Sequence, residues 1–143
     1  MASDPYNLGR FVTAQNPVFS GVCGELAAGH KQSHWMWFIF PQLRGLGTSP
    51  MAQRYAISSL AEARAYLAHP LLGERLRTCT QLVNRVEGRT VEAIFGYPDH
   101  LKFRSSMTLF ARAASGAEPF REALAKYFAA EEDPRTLELL AAD

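Results

Sequence analysis

The sequence predicts an all-α protein, a single compact domain of seven to nine short helices over residues 1–143. Three observations favour this fold class. A capping residue followed by proline occurs four times, and apolar residues recur at helical spacing after these pairs. No strand-length alternation of apolar and polar residues occurs outside residues 31–47. Those residues form one irregular, aromatic-rich segment, which we call the aromatic segment.

Composition narrows the class of protein. The chain has 143 residues, of which 48% are hydrophobic, and its formal net charge is +1. A chain of this length buries about 70% of its unfolded surface, so it needs no disulfide or metal for stability. The small net charge gives no general attraction to nucleic acid or to anionic membranes. Cys23 and Cys79 lack metal-ligand spacing and are expected to be small buried side chains, although the sequence leaves a disulfide open.

The N-terminus and the apolar runs of the chain indicate in which cellular compartment the protein is expected. The N-terminus has neither the basic region nor the apolar region of a signal peptide. The longest apolar run, from Trp35 to Phe40, is much shorter than the roughly 20 residues that a membrane span requires. We therefore expect a cytoplasmic protein that does not cross a membrane.

The pairs of a capping residue and proline predict four helix starts. The cap side chain accepts a hydrogen bond from a free N–H group, and proline at the first helical position has no N–H to satisfy. The pairs are Asp4-Pro5, Asn16-Pro17, Ser49-Pro50 and Asp133-Pro134. They predict helices over residues 5–15 and 17–28, a short helix from 50 to 55 or 57, and a last helix from 134.

Single residues predict the other helix ends. Ser59 and Glu62 have the spacing of a capping box, in which each side chain accepts the backbone N–H of the other residue. Proline or a threonine cap begins each remaining helix, and glycine ends two of them. These helices are predicted to begin at Pro70, Thr90, Pro98 and Pro119, with the third running to about Ala114.

The aromatic segment contains the first group of candidate site residues. Its rings, including both Trp35 and Trp37, cannot share one helical face, so they either are core or divide between the core and a pocket wall. The ring of either tryptophan would stack a base. His34 is a candidate general acid or base because an imidazole titrates near neutral pH.

Cationic and amide side chains in the same segment favour an anionic ligand. Arg44 precedes Gly45-Leu46-Gly47, where glycine would let backbone N–H groups approach an anion. With Lys31 and His34, it would line a cleft with aromatic walls, suited to a nucleotide or a sugar phosphate. Gln42 is a further candidate ligand-binding residue of this cleft.

The predicted helix from Pro98 contains the second group. Asp99, Lys102 and Ser106 lie at positions i, i+3 and i+7, on one face, and Ser105 lies on a neighbouring face. One interpretation of Asp99 is purely structural, because a carboxylate in the first turn of a helix is stabilised by the helix dipole. In a catalytic role it would stabilise an oxocarbenium-like centre or activate water, while Lys102 holds phosphate. We predict no metal site and no cofactor, since the histidines have no acidic partner at ligand spacing.

Several motifs along the chain form a recognisable pattern. They are residues 33–47, 55–57, 62–67, 69–73, 94–96 and 105–110, together with Asp99, Lys102 and residues 133–137. These motifs resemble those of an uncharacterised bacterial family, "domain of unknown function 1810". The similarity covers nearly the whole chain and implies an all-α fold without an established activity. Members are sometimes labelled calpastatin, but an inhibitor of that type is extended and poor in aromatic residues, unlike this chain.

Scattered positions are also similar to helical N-glycosidases that act on ADP-ribose and riboflavin-pathway intermediates. The sequence therefore leads to one hypothesis, a cleft between the aromatic segment and the Asp99–Thr108 face that binds a small anionic or nucleotide-like ligand. An N-glycosidase-type hydrolysis would use Asp99 and His34. The competing hypothesis is a protein-interaction module without chemistry, whose rings are core or partner surface.

Overall fold

The computed structural model describes residues 3–116 and 118–142, and in these residues it contains ten α-helices. Nine correspond to the predicted helices, and the tenth is a single turn inside the aromatic segment. The predicted all-α fold is confirmed. The helices are α1 (Gly9–Gln15), α2 (Phe19–Ala27), α3 (Met36–Ile39), α4 (Pro50–Arg54), α5 (Leu60–Ala68), α6 (Leu72–Asn84), α7 (Val91–Phe95), α8 (Asp99–Ala113), α9 (Pro119–Phe128) and α10 (Pro134–Ala141).

Helix α8 lies at the centre of the fold and contacts α5, α7, α9 and α10. It is the longest helix, and its side chains Phe103, Met107, Leu109 and Phe110 are fully buried. Complete burial of such a side chain contributes about 1.5–3 kcal/mol. The second layer of contacts is made by α6, which packs against α2, α5 and α9.

Three predicted side-chain caps are present as hydrogen bonds. Ser49 Oγ accepts from the N–H of Ala52 at 3.1 Å, and Thr90 Oγ1 accepts from that of Ala93 at 3.1 Å. Asp133 Oδ2 accepts from the N–H of Thr136 at 3.0 Å. Proline occupies the beginning of α4, α9 and α10 as expected.

The first helix begins four residues later than predicted. Asp4 Oδ1 and Oδ2 accept the N–H groups of Leu8 and Gly9, at 2.7 and 2.9 Å. Asn7 has φ of 53°, in the left-handed region, which a continuous α-helix does not allow. Residues 4–8 are therefore a capped turn, and the helical hydrogen bonds of α1 follow it.

The starts of α2 and α6 also differ from the prediction. The N–H of Asn16 donates to Val12 O, so Asn16 closes α1 and does not cap α2. At α6 the cap is an imidazole, because His69 Nδ1 accepts the N–H groups of Leu71 and Leu72, both at 3.1 Å. A histidine in this role has no sequence signature, whereas the proline after it does.

The predicted capping box is half correct. Ser59 Oγ accepts the N–H of Glu62 at 3.1 Å. One oxygen of the Glu62 carboxylate, however, accepts the N–H and the hydroxyl of Ser58, at 3.0 and 2.7 Å. The carboxylate does not accept the N–H of Ser59, as a capping box would require. Its other oxygen pairs with Arg10 at 3.1 Å, so this buried acid joins α1 to the start of α5.

Both cysteines have free thiols. Cys79 is buried and Cys23 is half-buried, and burial raises the pKa of both thiols. Within residues 3–116 and 118–142, no helix combines the length and the apolar character that a membrane crossing requires.

Candidate functional site

The loop that begins the aromatic segment is fixed by one carboxylate, Glu25 of α2. Its oxygens accept the N–H of Gln32 at 2.7 Å and both the N–H and the hydroxyl of Ser33, at 3.0 and 2.7 Å. They also accept the indole N–H of Trp35 at 3.0 Å. Burial alone would raise the pKa of Glu25, but these hydrogen bonds outweigh it and lower the pKa to about 2. No pattern in the sequence indicated a role for Glu25.

Most rings of the aromatic segment belong to the core. Trp35 is only 1% exposed, and Phe40 is equally enclosed. The Phe40 ring meets Phe103 of α8 edge to face, with 5.0 Å between centroids. The structure therefore does not place Trp35 where a ligand base could stack on it, because its faces are covered and its N–H is bonded to Glu25. Trp37 is only half-buried.

The aromatic segment and α8, which were predicted to form a cleft together, contact each other through a cluster of ion pairs. Lys31 Nζ lies 2.9 Å from Asp99 Oδ2, and Lys102 Nζ lies 3.5 Å from Asp99 Oδ1. The side chains of Lys31 and Asp99 are 9% and 19% exposed, so this cluster is largely shielded from water. Each lysine also lies near a tryptophan ring, Lys31 at 5.1 Å from Trp35 and Lys102 at 5.7 Å from Trp37. The structure brings together five of the predicted site residues here.

A cavity of about 420 Å³ lies beside this cluster, and Trp37 is part of its wall. We call it the Trp37 cavity. Its size is within the range of small-ligand sites. It is lined by Trp37, Gln42, Leu43, Arg44, Gly45, Gly47, Ala52, Gln53, Tyr55 and Ala56.

The backbone around the Trp37 cavity is held by a short parallel bridge. The N–H of Ile57 donates to Gln42 O at 2.9 Å, and the N–H of Arg44 donates to Ile57 O at 2.8 Å. Gly47 lets the loop approach α4 closely, since a Cβ there would lie 2.5 Å from the Ala52 Cβ. This contact gives the Gly-x-Gly step of the sequence a packing role in shaping the cavity.

The charge of the Trp37 cavity is set by one side chain. Arg44 is exposed and, within the described part of the chain, is the only ionisable acid or base of the cavity wall apart from the phenol of Tyr55. Gln53 contributes an amide whose nitrogen donates to Thr48 O at 2.8 Å. The cavity therefore offers one cation, amide groups and an indole, a combination suited to an anion that carries a flat ring.

Other predicted residues lie outside the Trp37 cavity. Ser105 and Ser106 are buried in α8, where the Ser105 hydroxyl donates to Leu101 O at 3.2 Å. Ser106 Oγ is fully enclosed and has no hydrogen-bond partner among the residues that the structure describes. His34 is exposed to solvent. Neither serine hydroxyl is available to a ligand, because the helix packs these side chains inward. The single cleft expected between the two groups is divided into the ion cluster and the cavity.

Gln53, Ala52 and Tyr55 of the cavity wall were not predicted as site residues. They belong to or follow α4, which the Ser49-Pro50 cap correctly located, but no sequence pattern indicated that α4 folds back on the Gly-x-Gly loop. For metals, no group of three or more His, Cys, Asp or Glu side chains suited to binding an ion occurs in the described ranges.

Comparisons with known protein families and with solved structures agree with the all-α fold. The family described as "Protein of unknown function (DUF1810)" matches residues 5–140. The crystal structure of the conserved hypothetical protein Rv1873 from Mycobacterium tuberculosis is 62% identical in sequence, with a TM-score of 0.95. That match covers 96% of this chain and 99% of the other. No curated protein matches significantly. The chain therefore belongs to the DUF1810 family of proteins of unknown function.

Proposed function

We propose that the Trp37 cavity binds a small anionic ligand that carries a planar ring, such as a nucleotide or an ADP-ribose derivative. The observation that carries the proposal is the pairing of a half-buried indole with an exposed guanidinium in one cavity of about 420 Å³. The indole would stack the ring, and Arg44 would hold phosphate or carboxylate through two parallel hydrogen bonds. The amides of Gln42 and Gln53 would select the polar edge of the ring.

Tryptophan fluorescence tests this proposal directly. Wild-type protein is titrated with AMP and with ADP-ribose, and a stacked base is expected to quench the emission of Trp37. Arg44→Ala should weaken binding about tenfold or more, because a charged hydrogen-bond pair contributes roughly 1.5–3 kcal/mol. Trp37→Phe should remove most of the quenching, since the enclosed Trp35 remains the only indole.

The matched control for Arg44→Ala is Arg85→Ala, which removes an exposed arginine at the end of α6. It should titrate like the wild type. The proposal is wrong if neither ligand changes the fluorescence at millimolar concentration, or if Arg44→Ala and Trp37→Phe give wild-type titrations.

Binding is better supported than cleavage. N-glycosidic hydrolysis needs a carboxylate against the ligand, and the sequence offered Asp99 for that role. Both oxygens of Asp99 are engaged by lysines, and its side chain is not part of the cavity wall. Analysis of the same mixtures for released base tests this directly, and release that Asp99→Asn abolishes would establish the hydrolase.

A second candidate function is contact with another protein. Tyr97, just before α8, is 82% exposed, and Leu101, in the first turn of α8, is 43% exposed. Exposed apolar side chains of this size are candidates for a partner surface. Sedimentation of the wild type and of Tyr97→Ser across a concentration series tests for self-association. If the measured mass equals that of one chain at every concentration, the partner is not a second copy of this protein.

A further inference from the structure

A second concave region lies on a different part of the molecule, between α5, α6, α8 and α9. It consists of two adjoining hollows of about 430 and 460 Å³, which share Arg112, Ala114 and Glu118 as lining residues. Each of the four helices contributes one arginine to the walls. We call this region the arginine cleft, after Arg64, Arg77, Arg112 and Arg121.

Two of these arginines are held in place by carboxylates. Arg77 donates to both oxygens of Glu118, at 2.8 and 3.1 Å. Arg112 donates to both oxygens of Glu132, at 2.7 and 2.9 Å. Two-point pairs of this kind fix the plane of the guanidinium, so its remaining N–H groups point in set directions.

The other two arginines carry the excess charge. Arg64 and Arg121 are exposed, and neither forms an ion pair within the described ranges. Glu118 is the only acid among the described lining residues, and Glu132, outside the lining, offsets the charge of Arg112. The cleft therefore has an excess of two positive charges, those of Arg64 and Arg121, in a chain whose formal net charge is +1.

The floor of the cleft leaves the guanidinium groups accessible. Between the arginines it is lined largely by small residues, including Ala111, Ala113, Ala114 and Gly116. Small side chains keep a concave surface open without adding groups that compete for a ligand. A bound anion would therefore contact the arginines from both hollows, with Arg112 between them.

From this arrangement we propose that the arginine cleft is a binding site for a polyphosphate group, the chain of two or three linked phosphates found in inorganic polyphosphates and in nucleoside di- and triphosphates. Arginine matches phosphate geometry through two parallel N–H···O bonds. Arg64 and Arg121 would each hold a phosphate, and the already fixed Arg112 would contact the bridging region. This site is separate from the Trp37 cavity and does not depend on the function proposed for it.

Isothermal titration calorimetry with sodium tripolyphosphate, at low and at moderate salt, tests the proposal. The wild type is expected to bind, and the affinity should fall as salt screens the charges. The double variant Arg64→Gln/Arg121→Gln should bind at least about tenfold more weakly, because two charged contacts are lost. Arg85→Gln, which removes an exposed arginine outside the cleft, should bind like the wild type.

Two further ligands identify the source of the phosphates. ATP that binds more tightly than tripolyphosphate indicates a nucleotide, and equal or weaker binding of ATP indicates inorganic polyphosphate. Absence of tripolyphosphate binding at millimolar concentration overturns the proposal, as does wild-type affinity in the double variant. Binding of a short single-stranded RNA without binding of tripolyphosphate also overturns it. Thermal unfolding of each variant checks that it is folded.

Discussion

The carboxylate of Asp99 lies 2.9 Å from the ammonium group of Lys31 and joins the loop after α2 to the first turn of α8. A second lysine, Lys102, approaches the other oxygen at 3.5 Å. Because this pair is largely shielded from water, loss of one partner leaves the other charge poorly solvated. The pair therefore gives a stability prediction that is independent of any ligand.

Asp99→Asn is expected to destabilise the protein by about 1–3 kcal/mol, less than a fully buried pair because Asp99 keeps some solvent contact. Urea unfolding measures the change. The matched control is Glu138→Gln, whose ion pair with Arg135 is open to water, with side chains 67% and 60% exposed. Surface pairs of this kind contribute about 0–1 kcal/mol. Equal effects of the two substitutions would show that the Asp99 ion pair contributes no more to the free energy of unfolding than a solvent-exposed pair does.

Glu25 gives a prediction about pH. Its pKa is lowered to about 2 in the folded protein, from 4.5, so the folded state holds this group ionised more strongly than the unfolded state does. Its contribution to the free energy of unfolding is present above pH 4.5 and is lost as the pH falls toward 2. Urea midpoints measured from pH 6 to pH 3, in roughly one-unit steps, should fall more steeply for the wild type than for Glu25→Gln.

The control for the pH series is Glu74→Gln, which changes an exposed glutamate of α6. Its pH profile should follow that of the wild type. A Glu25→Gln profile with the wild-type slope would mean that the hydrogen bonds from Gln32, Ser33 and Trp35 do not favour the ionised form.

The two tryptophans are expected to differ in their effect on stability. Trp35→Phe removes buried volume and leaves Glu25 without its indole donor, which should cost about 2–4 kcal/mol. Trp37→Phe changes a half-buried ring and should cost less than about 1 kcal/mol. Thermal and urea unfolding of the two variants give the comparison. The reverse order of effects would contradict the assignment of Trp35 to the core and Trp37 to the cavity.

Two glycines make a matched pair for packing at the cavity. Gly47→Ala would place a methyl group 2.5 Å from the Ala52 Cβ, and overpacking of this kind costs about 1–3 kcal/mol. Gly21→Ala adds a methyl group within α2 where nothing lies within 4 Å, and should stabilise by about 0.5–1 kcal/mol. Denaturant unfolding measures both, and a stabilising Gly47→Ala would show that the loop and α4 can separate freely.

Features that depend on neighbouring residues could be predicted from the sequence. The caps at Ser49, Thr90 and Asp133 were predicted correctly, because each involves a side chain and a backbone group three residues apart. Asn16-Pro17 has the same appearance, yet Asn16 remains bonded to α1. Local pattern alone does not decide between two helices that compete for one residue.

Features that join distant parts of the chain were only partly predictable. The association of the aromatic segment with α8 was expected in outline, and Lys31, Asp99 and Lys102 do lie together. Which of the two tryptophans is enclosed depends on a bond to Glu25, ten residues before Trp35. No sequence pattern predicted the arginine cleft, because its arginines come from four helices and no short motif contains two of them.

The central position of α8 has a consequence for synthesis of the protein on the ribosome. Its Phe110 ring packs against Tyr66 of α5, made earlier, and against Phe120 of α9, made later, with centroids 5.3 and 6.0 Å apart. A nascent chain that ends before Phe120 exposes that side of α8 to water, and exposed apolar surface promotes aggregation. The core on that side of α8 is therefore completed only after α9 has been synthesised, and until then Phe110 lacks one of these two ring partners.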